Sequence, residues 1–420
     1  MAYAPEYGLL GPMTDYFGNA QVTSPNAQAA IQNFIATLPP IRGRWYFYDV
    51  KTGNDTSGDG SPLKPFAGIA AAYAACTTKT GDGICCFSYG STAADTICYM
   101  DTPITWSKES ITLVGVAAPT RLFKRTKLST TDRTTGAIAT ISLAVNTIAD
   151  SAGGFLVAGF KVGQYVRIAS ASDHTYDGSG GYITAVTATT MSVSATLGVK
   201  SAATLGNTTI TSYMPFMIDF TGMDNRVYNM TIHNESTDAL SIGGVIVNAN
   251  RNYFENVHFA GHSSATPAAD IGSFAVQVMA SELTFKDCTF GNNSTLKAGN
   301  SAVLVITEVS GSVGTGQNIF ENCSFLSYST TVTNGIVRID DAVALQGWTL
   351  FKNCSFVNWR SSKGTAMSYA FIFDATPNDW GVAILNCGLY GIAAWDNSSG
   401  AVYVVSPYIA SGGGGLSSHT

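Results

Sequence analysis

The chain contains little charge of either sign. Of its 420 residues, 22 are Lys or Arg and 28 are Asp or Glu, so charged residues make up 12% and the formal net charge is −6. That share is about half of what soluble domains usually contain. A protein that holds nucleic acid by its phosphates needs a basic stripe, which this composition does not supply. We therefore exclude nucleic acid as a partner.

Long hydrophobic segments are also missing. The longest apolar run covers residues 69–76, whereas a membrane-spanning helix needs about 20 apolar residues. The first ten residues have neither a basic segment nor an apolar segment after it, so we expect no secretory signal. These patterns predict a protein that is made in the cytoplasm and has no membrane partner.

Motifs for bound cofactors are absent. The chain has no phosphate-binding loop, no zinc-ligand spacing and no Gly-x-Ser-x-Gly element, so we expect neither a cofactor nor a metal. Its eight cysteines do not require a disulfide framework, because a chain of this length can bury a sufficient core. Four of them recur in similar hexapeptides and are interpreted as buried free thiols: Cys288, Cys323, Cys354 and Cys387. The sequence leaves the redox state of the others open: Cys76, Cys85, Cys86 and Cys98.

The main positive signal is an internal repeat. Six segments share the order apolar, polar, Asn or Asp, small apolar, polar, apolar, as in Phe-Glu-Asn-Cys-Ser-Phe. Their side chains alternate as in a strand until the Asn, where the phase slips. Asn tolerates the left-handed backbone region, so it marks a corner between two short strands. The predicted corners are Asn229, Asn256, Asp287, Asn322, Asn353 and Asn386.

Successive corners are 27, 31, 35, 31 and 33 residues apart. A further β-rich run lies between them, for example at residues 274–279 and 302–307. One corner and one further strand per repeat predict the coil of a parallel β-helix. In such a stack, equivalent residues lie about 4.8 Å apart, so Phe stacks on Phe, Asn on Asn and Cys on Cys. We expect the Asn column to satisfy main-chain groups at the corners, and the parallel Cβ vectors to disfavour disulfides.

The beginning of this region resembles a known family. Residues 45–50 (WYFYDV), 53–55 (GND), 58–66 (GDGSPLKPF) and 69–72 (IAAA) are similar to the opening of pectate-lyase-like right-handed β-helix proteins. The resemblance implies a short helix that caps the open end of the solenoid. A cap is physically required, because an uncovered first coil exposes its core and its strand edges. The resemblance concerns fold and not activity.

The repeat is interrupted at residues 134–212, which have no Asn corners and read as several short antiparallel strands, a small β-barrel by pattern. Residues 153–168 (GGFLVAGFKVGQYVRI) and 181–193 (GYITAVTATTMSV) resemble a small barrel module of phage head and tail proteins, with Gln164 in place of the usual acidic residue. A generic barrel that decorates a β-helix is the alternative. The predicted fold is all-β: a right-handed parallel β-helix with an inserted small antiparallel β-barrel and a short N-terminal capping helix.

Five regions follow from these patterns. They are an N-terminal arm (1–42), the cap and first coils (43–133), the inserted barrel (134–212), the regular coils (213–408) and a flexible C-terminal tail (409–420). The arm either docks on a neighbouring subunit or wraps its own solenoid.

Candidates for catalysis are few. Glycan-cleaving enzymes need two carboxylates, one to donate a proton and one that stays ionised. Weak candidates are Asp340, Asp341 and Asp374 with Arg338, and Asp270 and Glu308 lie further away. Adjacent Asp340 and Asp341 would point to opposite faces of a strand, so at most one lines a groove. Solvated turn carboxylates explain them equally well. On balance these observations favour a protein without enzymatic activity. If the protein is an enzyme, we expect a polysaccharide lyase or glycoside hydrolase.

Two histidines and four tryptophans are further candidates. His258 and His262 are expected at a corner and in the turn that follows it. The tryptophans fall near predicted coil turns, where they would stack on sugars or cover a seam between subunits. They are Trp348, Trp359, Trp380 and Trp395.

These observations lead to three hypotheses. The first is a non-enzymatic capsid decoration or cement protein at the virion surface of a bacteriophage, a homotrimer that clamps the major capsid protein through multivalent contacts. The second is a tailspike or fibre that associates with tail proteins and binds or cleaves host polysaccharide. The third is a secreted pectate-lyase-like enzyme. The sequence leaves head or tail location and the host open.

Overall fold

The computed structural model describes residues 35–49, 52–88, 97–117, 125–130, 132–170, 172–262, 264, 272–297, 301–307, 315–329, 335–340, 345, 347–359, 367–374, 381–397, 402–405 and 417–418. Most of the predicted N-terminal arm and Asp341 lie outside these residues.

The chain folds into an all-β parallel solenoid of about eight turns with few helices. Each full turn contributes one strand to each of three sheets, named sheets A, B and C here. Sheet A precedes the Asn corner, sheet B follows it, and sheet C closes the turn. This arrangement is the one that the repeat predicts.

The strands are numbered in chain order. In the described residues sheet A contains β1 (Trp45–Asp49), β2 (Gly83–Ser88), β5 (Thr112–Ala117), β14 (Arg226–Tyr228), β17 (Tyr253–Glu255), β20 (Thr284–Lys286), β23 (Ile319–Glu321), β26 (Thr349–Lys352), β29 (Val382–Leu385), β32 (Val402–Val405) and β33 (Ser417–Ser418). Sheet B contains β3 (Ile97–Met100), β6 (Thr126–Thr130), β15 (Met230–Asn234), β18 (His258–His262), β21 (Thr289–Gly291), β24 (Ser324–Ser327), β27 (Ser355–Asn358) and β30 (Gly388–Tyr390). Sheet C contains β4 (Ile104–Trp106), β13 (Ile218–Phe220), β16 (Gly243–Val247), β19 (Phe274–Val278), β22 (Leu304–Ile306), β25 (Val337–Ile339), β28 (Met367–Phe373) and β31 (Ile392–Asp396).

Stacked phenylalanines form the centre of the core. Along sheet A the rings of Phe254, Phe285, Phe320 and Phe351 follow one another with centroid distances of 4.8, 4.8 and 4.5 Å and are parallel within 7°. A second stack runs along sheet B from Phe259 to Phe356. The like-on-like stacking expected from the repeat is therefore present, because parallel pairing in register places each ring one strand spacing above the last.

The six corner residues all have a left-handed backbone, with φ between 53° and 56°. Their side chains bond to one another: Asn256 Nδ2 donates to Asn229 Oδ1 at 2.8 Å, and Asn353 Nδ2 donates to Asn322 Oδ1 at 3.1 Å. The main-chain N–H groups donate to carbonyls of the next turn, as from Asn322 to Lys352 at 2.9 Å. The expectation that these side chains satisfy buried main-chain groups is wrong, because the next turn already supplies the acceptor.

A second column of asparagines has that role. Asn225, Asn252 and Asn318 are at most 1% exposed, and each precedes a corner Asn by four residues. Asn225 Oδ1 accepts from the main-chain N–H of Ile111 at 2.9 Å, and Asn318 Oδ1 accepts from that of Leu283 at 2.9 Å. Sequence reasoning missed this column, although the spacing Asn-x-x-x-Asn recurs three times.

All eight cysteines are free. In the column at the Asn corner, each thiol donates to a carbonyl of the preceding turn, as from Cys323 to Phe285 at 3.4 Å. Burial raises the pKa of the Cys323 thiol. Cys85, Cys86 and Cys98 are buried without a bond between them. The thiols therefore fill core space.

The helix implied by the family resemblance is present as α1 (Ile69–Ala75), which lies against the first strands. Its C-terminal end is tied to the solenoid by Lys108. The ammonium group of Lys108 donates to the carbonyls of Tyr73, Ala74 and Cys76 at 2.7, 2.8 and 2.6 Å. A cation at this end also complements the helix dipole.

The interruption of the repeat forms a six-stranded antiparallel sheet, called the insert, with its own hydrophobic core. Isolated bridges from Thr134 to Thr211 and from Ile138 to Thr208 connect the chain that enters the insert to its far edge. Closure of this sheet into a barrel remains a prediction. Its strands are β7 (Ile141–Ala144), β8 (Thr147–Asp150), β9 (Tyr165–Ser170), β10 (Gly180–Val186), β11 (Thr190–Val193) and β12 (Thr208–Tyr213), with a 3-10 helix (His174–Tyr176) and α2 (Ala202–Leu205).

The predicted flexible tail contains a short strand. β33 pairs antiparallel with β32, with Ser418 opposite Tyr403. The last strand of an open sheet offers unpaired main-chain groups to such a partner. The flexibility of the tail outside these two residues stays a prediction.

Candidate functional site

The structure brings two of the sequence-predicted site residues together. Arg338 lies in the middle of β25 and faces outward, because Val337 and Ile339 on either side are buried. Its guanidinium group contacts Asp374 at the end of β28, with Nη2 and Nε both bonded to Oδ2 at 2.6 and 2.7 Å. Such charge-assisted bonds are strong and directional. Asp374 is therefore held as a cross-link between adjacent turns.

The other predicted carboxylates are placed differently. Asp340 follows β25 directly, where its Oδ2 accepts from the hydroxyl of Thr307 at 3.3 Å and its N–H donates to Ile306 at 3.0 Å. Asp341, Asp270 and Glu308 lie outside the described residues. The described residues of this surface thus show an arginine-bound carboxylate and a strand-end carboxylate. They do not establish the acid and base of a glycan-cleaving enzyme.

A cluster of ionisable side chains that the sequence did not indicate lies on the outer face of sheet B. Glu235 is its centre, with Lys127 Nζ at 2.6 Å and His233 Nδ1 at 3.5 Å from Oε1, and the hydroxyl of Ser129 bonded to Oε2. Burial opposes ionisation of Glu235, but the bonds from Lys127 and Ser129 lower its pKa. Sequence reasoning missed the cluster because the insert separates its two halves.

The cluster predicts a loss of stability in mild acid. Burial lowers the pKa of His233 to about 4; Lys127 and His258 add to this effect and Glu235 opposes it. Below pH 6.5 the unfolded chain binds a proton that the folded chain does not, so stability falls with pH until the folded pKa is reached. From pH 6.5 to 5.5 we expect His233 to contribute a loss of about 1 kcal/mol.

Denaturant unfolding at a series of pH values measures this effect. The variant His233→Gln should show a smaller decline than the unchanged protein over this interval. An equal decline in both proteins would rule out His233 as the source.

The two histidines proposed for a corner and a turn are both in β18, so that placement is wrong. Their ring nitrogens bond to main-chain carbonyls, His258 Nε2 to Gly291 at 2.9 Å and His262 Nε2 to Ile242 at 2.8 Å. Burial lowers the pKa of His262 to about 3, so its ring is neutral near pH 7. The pairing of β18 with β15 shifts register at Gly261, which adopts a φ of 71°, and the strand continues from His258 to His262. These contacts indicate structural roles.

The three candidate tryptophans that the structure describes lie in different environments. Trp395 packs on the core against Phe356 with a ring distance of 5.8 Å, Trp348 contacts Tyr403 at 4.8 Å, and Trp359 is 56% exposed. Trp380 lies outside the described residues.

Three tyrosines form a row across the insert. Tyr213, Tyr165 and Tyr182 are direct cross-strand neighbours with ring distances of 5.8 and 5.9 Å, and Tyr182 is 46% exposed. Arg167, two residues after Tyr165 on β9, forms an ion pair with Asp238 of the solenoid. Tyrosine combines an apolar ring face with a polar tip, which suits a binding surface. This row was also missed, because cross-strand pairing decides which tyrosines meet.

A cavity of about 570 Å³ lies beside the first turns of sheet A. Its volume is within the range of small-molecule sites. Arg42, Lys79, Asp224 and Arg226 contribute charged side chains to its lining.

The described part of the chain places no group of three His, Cys, Asp or Glu side chains so that they could hold a metal ion. Its helices are all too short to cross a bilayer.

Comparisons with known proteins find similarity at the level of structure only. No protein-family model and no curated protein sequence matches. Similar solved structures include the pectate lyase Pel9A, with 12% identity, coverage of 81% of this chain and 68% of that chain, and a TM-score of 0.42. A rhamnogalacturonan lyase shares 12% identity over 82% and 73% of the two chains at a TM-score of 0.38. The Pseudomonas phage phi297 tailspike gp61 shares 11% identity over 82% of this chain and 75% of that chain, with a TM-score of 0.19. These neighbours are β-helix proteins of several activities, and we transfer no residue role from them.

Proposed function

We propose that the protein is a non-enzymatic structural component of a bacteriophage particle, a capsid decoration or cement protein at the virion surface. The observation that carries this proposal is the insert. Four of the residues in which it resembles a phage module, Phe155, Phe160, Val166 and Ile183, are at most 1% exposed and belong to a hydrophobic core separate from that of the solenoid. The resemblance therefore coincides with a folded unit, which we propose to be a closed barrel.

The carboxylate environment supports a non-enzymatic role. Asp374 is bonded twice to Arg338, and Asp340 is bonded to Thr307 on the turn before it. Carboxylates engaged in this way connect turns. The continuous phenylalanine stacks also support a structural role, since they make the solenoid a rigid body that can project from the surface of a capsid.

Copy number tests the proposal. In purified particles that contain this chain, quantitative mass spectrometry should find hundreds of copies per particle, and the isolated protein should have three times the 44.0 kDa chain mass by light scattering. A few dozen copies or fewer would place it in the tail instead. Incubation with capsular or pectic polysaccharides should yield no new reducing ends or unsaturated products, and their appearance would contradict the non-enzymatic role.

A second candidate function is a tailspike or fibre that binds host polysaccharide. The row of Tyr165, Tyr182 and Tyr213 favours it, because an exposed aromatic ring such as that of Tyr182 can stack on a sugar ring. Binding of host capsular polysaccharide that the variant Tyr182→Ala weakens, together with a low copy number, would support this candidate over the first.

A further inference from the structure

We infer that the buried ammonium group of Lys297 binds a small inorganic monoanion such as chloride. Lys297 lies between β21 of sheet B and β22 of sheet C. This inference goes beyond the particle role and does not depend on it, since it stands on the burial and the hydrogen bonding of polar side chains inside the solenoid.

Buried polar side chains recur where the chain passes from sheet B to sheet C. Asn234, His262 and Asn358 are the last residues of β15, β18 and β27, and each is at most 2% exposed. Asn234 Nδ2 donates to two main-chain carbonyls at 2.8 Å each, His262 Nε2 bonds to a third at 2.8 Å, and Asn358 Nδ2 donates to a fourth at 3.1 Å. These nitrogens thus have the partners that burial requires.

Lys297 belongs to the same region, but its ammonium group has no such partner. The residue is 2% exposed and forms a parallel bridge with Ser329 on the next turn. Its N–H donates to Tyr328 at 2.8 Å, and its carbonyl accepts from the hydroxyl of Ser329 at 3.1 Å. Nζ has no hydrogen-bond partner in the part of the chain that the structure describes. The main chain therefore holds this side chain in the interior while its charged end is unsatisfied.

The charge of Lys297 is not compensated by its surroundings. Burial lowers the pKa of Lys297 to about 8, so most of the amine is still protonated at pH 7. Burial lowers the pKa of His262 to about 3, and the charge of Lys297 contributes to that lowering. The neutral ring of His262 supplies no counter-charge, and among the described residues its Nδ1 also has no hydrogen-bond partner. Burying an unpaired charge is strongly unfavourable, so the ammonium group requires an anion.

The surroundings favour an anion that is small and singly charged. One ammonium group supplies one positive charge, and Lys127, whose charge acts on the neighbouring His233, is already paired with Glu235 at 2.6 Å. A divalent anion would leave a negative charge in the interior. A water molecule accepts a hydrogen bond but does not compensate the charge. A bulky organic ion would have to displace buried side chains, since Lys297 and His262 are at most 2% exposed.

Thermal unfolding of the full chain at pH 7 tests this inference. The buffer is potassium gluconate, in which chloride replaces gluconate at constant ionic strength. We expect the midpoint to rise by about 1 to 3 °C for each tenfold increase in chloride above the dissociation constant. Lys297→Met should abolish this rise. In gluconate alone the variant should be at least as stable as the unchanged protein, because an apolar side chain of similar size removes an uncompensated charge.

The matched control is Lys352→Met, the same substitution at a half-exposed lysine that is paired with Glu321 at 2.7 Å. It should keep the full rise with chloride. Anomalous scattering from crystals grown with bromide should place an ion within hydrogen-bond distance of Lys297 Nζ. This second measurement uses the unchanged protein, so the test does not depend on whether Lys297→Met folds.

Any of four results would overturn the inference. Chloride produces the same change in the unchanged protein and in Lys297→Met, Lys352→Met loses the rise as well, sulfate produces an equal rise that depends on Lys297, or bromide is absent beside Lys297. None of them affects the particle role, which copy number tests separately.

Discussion

Replacing Phe320 by Ala should lower the free energy of unfolding by about 3 to 5 kcal/mol. The ring is fully buried and lies between Phe285 and Phe351 at 4.8 and 4.5 Å, parallel to both within 4°. It also contacts Phe290 and Phe325 of the second stack at 5.8 and 5.9 Å. Truncation removes stacking on both sides and leaves a cavity that the rigid turns cannot close.

Equilibrium denaturation followed by circular dichroism measures this loss. Because each turn of a solenoid contacts only its neighbours, the transition of the variant is also expected to become broader or biphasic. The control is Ile319→Ala, one residue away on the outer face and 39% exposed, which should cost less than about 1 kcal/mol. Equal losses in the two variants would contradict the assignment of stability to the phenylalanine stacks.

Replacing Asn225 by Ala should cost about 3 kcal/mol or more. Its Oδ1 accepts from the main chain of Ile111 at 2.9 Å and from the indole of Trp106 at 3.3 Å, and its Nδ2 donates to Gly222 at 2.7 Å. The site is 1% exposed, so water cannot replace these bonds. Each buried polar group left without a partner costs about 1 to 3 kcal/mol.

The matched control replaces a corner asparagine. Asn322 is exposed and has φ of 55°, which glycine adopts without strain. Asn322→Gly should therefore cost less than about 1 kcal/mol. Thermal unfolding of both variants tests the comparison. A larger loss for Asn322→Gly would mean that the surface column, and not the buried one, holds the turns together.

The corner residues show how far prediction from sequence extends. The left-handed conformation of Asn229, Asn256 and the four equivalent residues follows from a local property of Asn and Asp, and the structure has it at all six. The hydrogen bonds of these side chains could not be predicted from the same local property, because they depend on the polar groups that the neighbouring turn places beside them. The buried Asn225 was missed for the same reason. Its partner Ile111 is 114 positions earlier in the chain.

The candidate sites were predicted less well than the fold. Asp374 and Arg338 were both named among the candidate residues, though not as a pair. The structure brings them into contact, because both lie on the outer face of sheet C on adjacent turns. The cluster around Glu235 was not named. It combines β6 with the end of β15, and the insert separates these strands in the chain.

The sequence by itself determined the features that depend on neighbouring residues: the alternation of strand side chains, the asparagine corners, the length of each turn and the break at residues 134–212. Only the tertiary structure decided which polar groups meet. Arg42, Lys79 and Arg226 line one cavity although the insert lies between the last two in the chain. The physical reason is that lateral stacking aligns strands by their main-chain hydrogen bonds, whatever the number of residues between them. The repeat specifies the register of the regular turns, but no local pattern specifies which residues meet on the two sides of the insert.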